Sequence, residues 1–275
     1  MQTRSDSHAQ GIDVSHWQGS IDWKKVREAG KSFVFIKATE GTRYKDDHFL
    51  SYFKGAKSAG LLVGAYHFTR AAKPAEVKVE IDHFLAVIGL AGGLNAFDLP
   101  FVLDIETKEA GTRANVTATV RAWVDEFRRR TGKYPLIYTY PSFIEGYLDN
   151  SLKDVPLWYA YYSHVPPGNK AGWKSWEFLQ YTSEGKVPGI SGNVDLNEYK
   201  GSEAELMAAY SKGDSGNNGN SGSTGGNSGS APAWKESGRQ WLIDQAGISS
   251  DWKAEDPVDI GTLGAILAKL QAKQK

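Results

Sequence analysis

Short β-rich runs alternate with helical segments between residues 11 and 148, and this alternation limits the fold more than any other feature of the chain. The strand candidates are GIDVS (11–15), FVFIKAT (33–39), LVGAYHF (62–68), FVLDIE (101–106) and LIYTY (136–140). A helical segment follows each of them, over 22–29, 48–59, 74–88, 116–130 and 142–148. Three further runs, LWYAYY (157–162), EFLQYT (177–182) and VDLNEY (194–199), are separated only by loops rich in Pro and Gly. Strands that alternate with helices form a mainly parallel sheet, because each crossover helix covers one face of it. Eight strands suit a closed barrel, so the expected fold is α/β, a TIM-like (β/α)5β3 barrel over residues 10–210. A doubly wound open sheet is the other arrangement with this alternation. However, neither G-x-G-x-x-G nor G-x-x-x-x-G-K-[ST] follows any strand.

The bulk numbers narrow the chemistry. Of 275 residues, 32 are Lys or Arg and 32 are Asp or Glu, so no net field favours nucleic acid or a membrane surface. There is no cysteine, which excludes disulfides, thiolate metal sites and cysteine nucleophiles. No 18-residue apolar run occurs, and MQTRSDSHAQ at the start lacks the apolar core of a secretory signal.

The chemical signal is acidic. In a barrel of this kind functional groups collect at the carboxyl ends of the strands. FVLDIE places Asp104 and Glu106 two residues apart, so both face the same side of a strand while Leu103 and Ile105 face the helices. Asp13 in GIDVS and Asp195 in VDLNEY sit in comparable apolar surroundings. Carboxylates buried together must pair with cations, hold a metal or share protons. Sharing leaves a protonated acid beside an ionised one, the division of labour that glycoside hydrolysis needs. The metal alternative finds no H-x-x-x-H and no EF-hand loop, and only His16 lies next to these acids in sequence. No metal and no cofactor are expected. Tyr66 and Tyr138, and with less support Trp158 and Tyr161, are the candidates to pack on sugar rings and donate hydrogen bonds. Most other aromatics belong to the core.

Taken in order, GIDVSHWQG (11–19), IKATEG (36–41), GAYHF (64–68), the D-x-E of FVLDIE and VDLNEY resemble glycoside hydrolase family 25, the bacterial and phage muramidases. The similarity covers about residues 10–210. It implies hydrolysis of the β-1,4 bond between N-acetylmuramic acid and N-acetylglucosamine in bacterial peptidoglycan. It further implies Glu106 as general acid and Asp104 as the group that holds the sugar's N-acetyl arm in a substrate-assisted, retaining reaction. A carboxylate nucleophile is the competing scheme. Asp13 and Asp195 match family acids that tune the pair and bind substrate, and Lys37 of IKATEG reads as a partner for an acid. Chitinase-like barrels carry a longer D-x-x-D-x-D-x-E run, absent here. A non-catalytic wall-binding protein would be expected to lack one of the four acids, and a metal-dependent deacetylase would need a metal site.

Residues 211–233, rich in Gly, Ser and Asn, read as a flexible linker spanning roughly 26 Å root-mean-square. Residues 234–275 read as a small α-helical module: Leu263, Ile266, Leu267 and Leu270 share one helical face, with Asp259 as its N-cap. With an earlier helix over 235–245, the pair has a marginal core, which points to self-association or to binding a wall component. The expected site of action is the cell wall outside the membrane. The protein would arrive there as a released phage endolysin or as a secreted autolysin with its signal removed.

Overall fold

The computed structural model describes residues 1–109, 111–163, 165–210 and 243. The linker and helical module expected over 211–275 therefore lie outside the described residues, Ile243 excepted.

Eight strands close into a barrel. β1 (Gln10–Val14) pairs in parallel with β2 (Lys31–Glu40) on one side and antiparallel with β9 (Val194–Tyr199) on the other, which seals the cylinder. Between β2 and β9 run β4 (Leu62–Phe68), β5 (Val102–Asp104), β6 (Leu136–Thr139), β7 (Leu157–Ala160) and β8 (Phe178–Gly185), parallel until β8 meets β9. The two-residue β3 (Tyr44–Lys45) pairs with the end of β2 outside the barrel.

Helices follow the first five barrel strands: α1 (Trp23–Glu28), α2 (Phe49–Ser58), α3 (Val77–Leu90), α4 (Arg113–Thr131) and α5 (Pro141–Tyr147). Their ends obey local chemistry. Asp22 accepts the Lys25 amide at the start of α1, and Thr112 does the same for Asn115 in α4. Gly132 closes α4 in the left-handed region at φ 67°, after three arginines in its last turn. A sixth helix among those described, α6 (Glu203–Tyr210), was not legible in the sequence: it is only eight residues long, and Ala204, Ala208 and Ala209 spread apolar residues around it. It puts Leu206 into the core shared by Ala9, Phe178 and Tyr199. Residues 1–9, which fall before the expected boundary at residue 10, also pack on the barrel. Arg4 lies 3.5 Å over the Tyr181 ring and 3.1 Å from Glu198, and the Trp176 indole donates to the Gln2 carbonyl.

Alternation along each strand builds two cores. Val34, Ile36, Leu103, Ile105, Ile137, Leu157 and Tyr159 point outward to the helices. Phe33, Phe35, Val102, Leu136, Trp158 and Phe178 fill the interior. Two glycines make that interior possible. A Cβ at Gly11 would lie 2.4 Å from the Phe33 ring, and one at Gly64 would lie 2.5 Å from Phe35. The large rings occupy the space that side chains on β1 and β4 would need.

Candidate active site

The interior face of the strands turns from apolar to acidic at the carboxyl ends of the parallel strands. Asp13 stands on β1 directly opposite Asp195, the first inward position of antiparallel β9. Asp104 is the last residue of β5. Glu106 lies just beyond: the strand is shorter than FVLDIE suggested, although the Ile105 amide still donates to the Tyr138 carbonyl at 3.0 Å. That bond keeps the alternation running, with Ile105 outward in the core and Glu106 on the side of Asp104. The structure thus brings all four sequence-selected acids together.

Their electrostatics follow from crowding in a dry place. Burial pushes Asp13 well above the usual carboxylate range, and the neighbouring charges of Asp195 and Glu106 add to it. Burial and then Glu106 do the same to Asp104. Glu106 is raised by burial, while a hydrogen bond from Asp104 and the nearby Lys37 ammonium pull the other way. Asp195 is raised to about 6 by burial. Glu106 beside Asp104 helps to hold the Asp104 proton affinity up, and no hydrogen-bond partner reaches the buried Oδ1 of Asp104.

Asp13 is held by two amides that sequence reasoning did not single out. Gln180 Nε2 donates to its Oδ2 at 2.8 Å, and Asn197 Nδ2 donates to the same oxygen at 2.7 Å. Each amide is itself oriented. Tyr138 OH donates to Gln180 Oε1 at 2.8 Å, and Tyr162 OH donates there too. Trp158 Nε1 donates to Asn197 Oδ1 at 2.7 Å. An indole N–H can only donate, so it must face the amide oxygen and thereby turns the nitrogen towards Asp13. Gln180 and Asn197 share the inward parity of Phe178 and Asp195, the signal that would have found them.

The four aromatic candidates separate. Tyr66 and Tyr138 face the acids, whose charges raise both phenols further above their already burial-raised values. Trp158 does belong to the cluster, but as its floor. It is 1% exposed, stacks 4.5 Å from the Phe35 ring and has no free face for a sugar. Tyr161 is a correction. It stacks on outward-facing Tyr159 with ring centroids 5.7 Å apart, on the helix side of the strand. Tyr162 is the residue that faces the acids, with Asp195, Asp13 and Glu106 all raising its phenol. Positions 158 and 161 differ by an odd number, so one strand cannot send both inward.

Around this floor the rim is charged and aromatic. Lys37 Nζ lies 2.6 Å from Glu40, whose other oxygen takes the Arg70 guanidinium at 2.8 and 3.0 Å. The acid partner expected for Lys37 is therefore Glu40, while its charge also acts on Asp104 and Glu106. A cleft of about 550 Å³ opens beside Glu106, walled by Thr107, Lys108, Tyr140, Phe143 and Tyr147. Among the described residues no group of three or more His, Asp or Glu is placed to hold a metal ion, and no helix is long and apolar enough to cross a membrane.

Comparison with known proteins places this arrangement. The chain is 40% identical over 211 residues to lysozyme M1 of Streptomyces globisporus, covering 74% of this chain and 71% of that protein. It is 33% identical over 205 residues to an N,O-diacetylmuramidase of Chalaropsis sp, covering 68% of this chain and 95% of that protein. The solved structure of a bacterial lysozyme from Streptomyces coelicolor superposes with a TM-score of 0.63 at 35% identity, covering 75% of this chain and 98% of that one. The sequence profile described as glycosyl hydrolases family 25 matches residues 12–190. With its closed barrel and its acids at the strand ends, this chain belongs to glycosyl hydrolases family 25.

Proposed function

We propose that the protein is a lysozyme, hydrolysing the β-1,4 bond from N-acetylmuramic acid to N-acetylglucosamine in bacterial peptidoglycan. The observation that carries this reading is the neighbouring Asp104 and Glu106 inside a buried cluster of four carboxyls of raised proton affinity, in a chain whose relatives are named lysozyme and N,O-diacetylmuramidase. Glu106, whose proton affinity burial raises, gives its proton to the bridging oxygen as the bond to the anomeric carbon breaks. The acetamido oxygen of the same sugar attacks that carbon from the opposite face, giving a cyclic oxazolinium. Asp104 orients the acetamido N–H and balances the positive charge that develops on it. Water then opens the ring, giving its proton back to Glu106, and two inversions retain configuration. The unpartnered Oδ1 of Asp104 supports this role, since a substrate N–H would supply the missing donor. Asp195, lifted only to about 6, is ionised at neutral pH and helps to stabilise the cationic transition state, while Asp13 adds to the proton affinity of Asp104.

The finer architecture is read as a (β/α)5β3 barrel, from helices after the first five barrel strands and none between the last three among the described residues. Residues 211–233 are read as a linker, and 234–275 as a module for wall binding or self-association. The site of action on this reading is the cell wall outside the membrane. The test is digestion of purified peptidoglycan, borohydride reduction and mass analysis of the fragments. New reducing ends on muramic acid support a muramidase, and ends on glucosamine refute it. Glu106→Gln is the companion chain: it should release almost no new ends while still binding walls, and retained turnover would refute the assigned acid.

A further inference from the structure

The rim next to β1 carries an aromatic surface that the acid cluster does not use. Trp17 is 81% exposed, the most open of the large hydrophobic side chains among the described residues. It sits on a 3-10 turn, His16–Gln18, directly after the strand that bears Asp13. An exposed indole on a mobile loop would carry little meaning, but the turn that bears this one is fixed from beneath. The Ser15 amide donates to Gln18 Oε1 at 2.9 Å in a reciprocal capping box. The His16 ring lies against the indole, tilted 36° with centroids 4.5 Å apart, and that ring is itself pinned. Its Nδ1 lies 3.1 Å from Asp46 and 3.0 Å from the Tyr44 hydroxyl, while its backbone N–H donates to the same Asp46 oxygen at 2.9 Å. Asp46 is fully buried, and Tyr44 is the part-exposed tip of the β3 extension. A flat apolar face with a hydroxyl beside it is thus held ready at the barrel mouth, its ordering cost already met by folding.

The position of this face within the mouth gives it a direction. Glu106 must lie on the side of the departing sugar, because it protonates the departing oxygen, and the open cleft beside it is bounded by β5, β6 and α5 elements. The sugar that keeps the anomeric carbon must lie over Asp104, Asp13 and Asp195. β1 stands three strands from β5 in one direction and five in the other, across the mouth. A glycan that enters at the cleft and crosses the acids leaves over β1, where Trp17 stands. We propose that Trp17, backed by His16 and Tyr44, is a distal subsite that stacks a sugar ring on the non-reducing side of the cleaved bond, fixing strand polarity and favouring long glycans. This inference rests on the lysozyme reading of the site.

The test uses the full-length protein with borohydride-capped peptidoglycan glycans that have one or two disaccharide units on the non-reducing side of the cleaved bond. In the unaltered protein the added disaccharide should raise kcat/KM about tenfold, chiefly by lowering KM, the effect of roughly one good aromatic contact. In Trp17→Ala that ratio should fall to near one, and Trp17→Phe should restore part of it. A long-to-short ratio near one in the unaltered protein, or one that survives Trp17→Ala, overturns the subsite while leaving the lysozyme reading intact. Cleavage of neither glycan by the unaltered protein overturns both. Far-ultraviolet circular dichroism of each variant separates loss of the subsite from loss of the fold.

Discussion

The indole N–H of Trp158 points at the side-chain oxygen of Asn197, 2.7 Å away, and so decides that Asn197 presents nitrogen, not oxygen, to Asp13. A buried tryptophan therefore sets the hydrogen bonding of a site acid that it does not touch. Trp158→Phe should cost about 1–3 kcal/mol of stability by leaving a buried acceptor unpaired, with a further loss from the small cavity. The amide would be free to turn its oxygen towards Asp13, so kcat should fall as well. Phe35→Leu, which disturbs the stacked neighbour but no amide, should lose stability with little change in kcat. Equal loss of kcat in both variants would mean that Trp158 acts only through packing.

The two neighbouring tyrosines after β7 make a sharper contrast. Tyr162 donates to the Gln180 oxygen beneath Asp13, whereas Tyr161 stacks on the helix side. Tyr162→Phe should lower kcat/KM several-fold, and Tyr161→Phe should leave it within about twofold, consistent with a contact away from the chemistry. Steady-state rates on wall fragments decide the matter, and the reverse pattern would contradict the assignment.

Lys37 bears on the pH profile. Its ammonium favours the ionised forms of Asp104 and Glu106, so removing it raises their proton affinity further. A general acid loses activity as pH rises through its pKa. In Lys37→Met the alkaline limb of kcat/KM should therefore move to higher pH, by roughly half to one unit for one nearby charge in a partly hydrated site. Arg70 continues to hold Glu40. A limb that stays in place or moves down would show that Lys37 does not act on the proton of the general acid.

Asp195 should trade stability for function. Burial lifts it to about 6 in the folded chain, above the 3.8 of an ordinary aspartate. Between those values the folded state binds more protons than the unfolded one, so stability falls as pH rises through the window. The loss is complete above about pH 6 and amounts to roughly 1–3 kcal/mol at neutral pH. Asp195→Asn should recover it at pH 7 and gain little at pH 3, where both states are largely protonated. Urea denaturation at the two pH values measures this, and destabilisation at pH 7 would mean that the native fold favours the ionised group. Turnover should fall in the same variant.

The sequence by itself located the eight barrel strands, the first five helices and the four acids. Each rests on information local to a segment: period, turn residues and the parity that puts Asp104 and Glu106 on one face. The family resemblance rested on the same local motifs. Where local signals were short or mixed, as in β3 and α6, elements went unseen.

Only the tertiary structure decided which groups hold the acids. Gln180 and Asn197 are ordinary strand amides until barrel closure brings β8 and β9 to β1 and aims both at one oxygen of Asp13. Trp158 reads as a sugar platform in sequence, but stacking on Phe35 and edge contacts with Tyr66 and Tyr138 bury it and leave only the indole N–H at work. Tyr161 and Tyr162 are adjacent and chemically alike, and one faces the helices while the other faces the acids. The raised proton affinities come from the same source. A carboxyl's titration depends on how much water and how many charges surround it, and those are set by strands distant in sequence meeting at one end of the barrel.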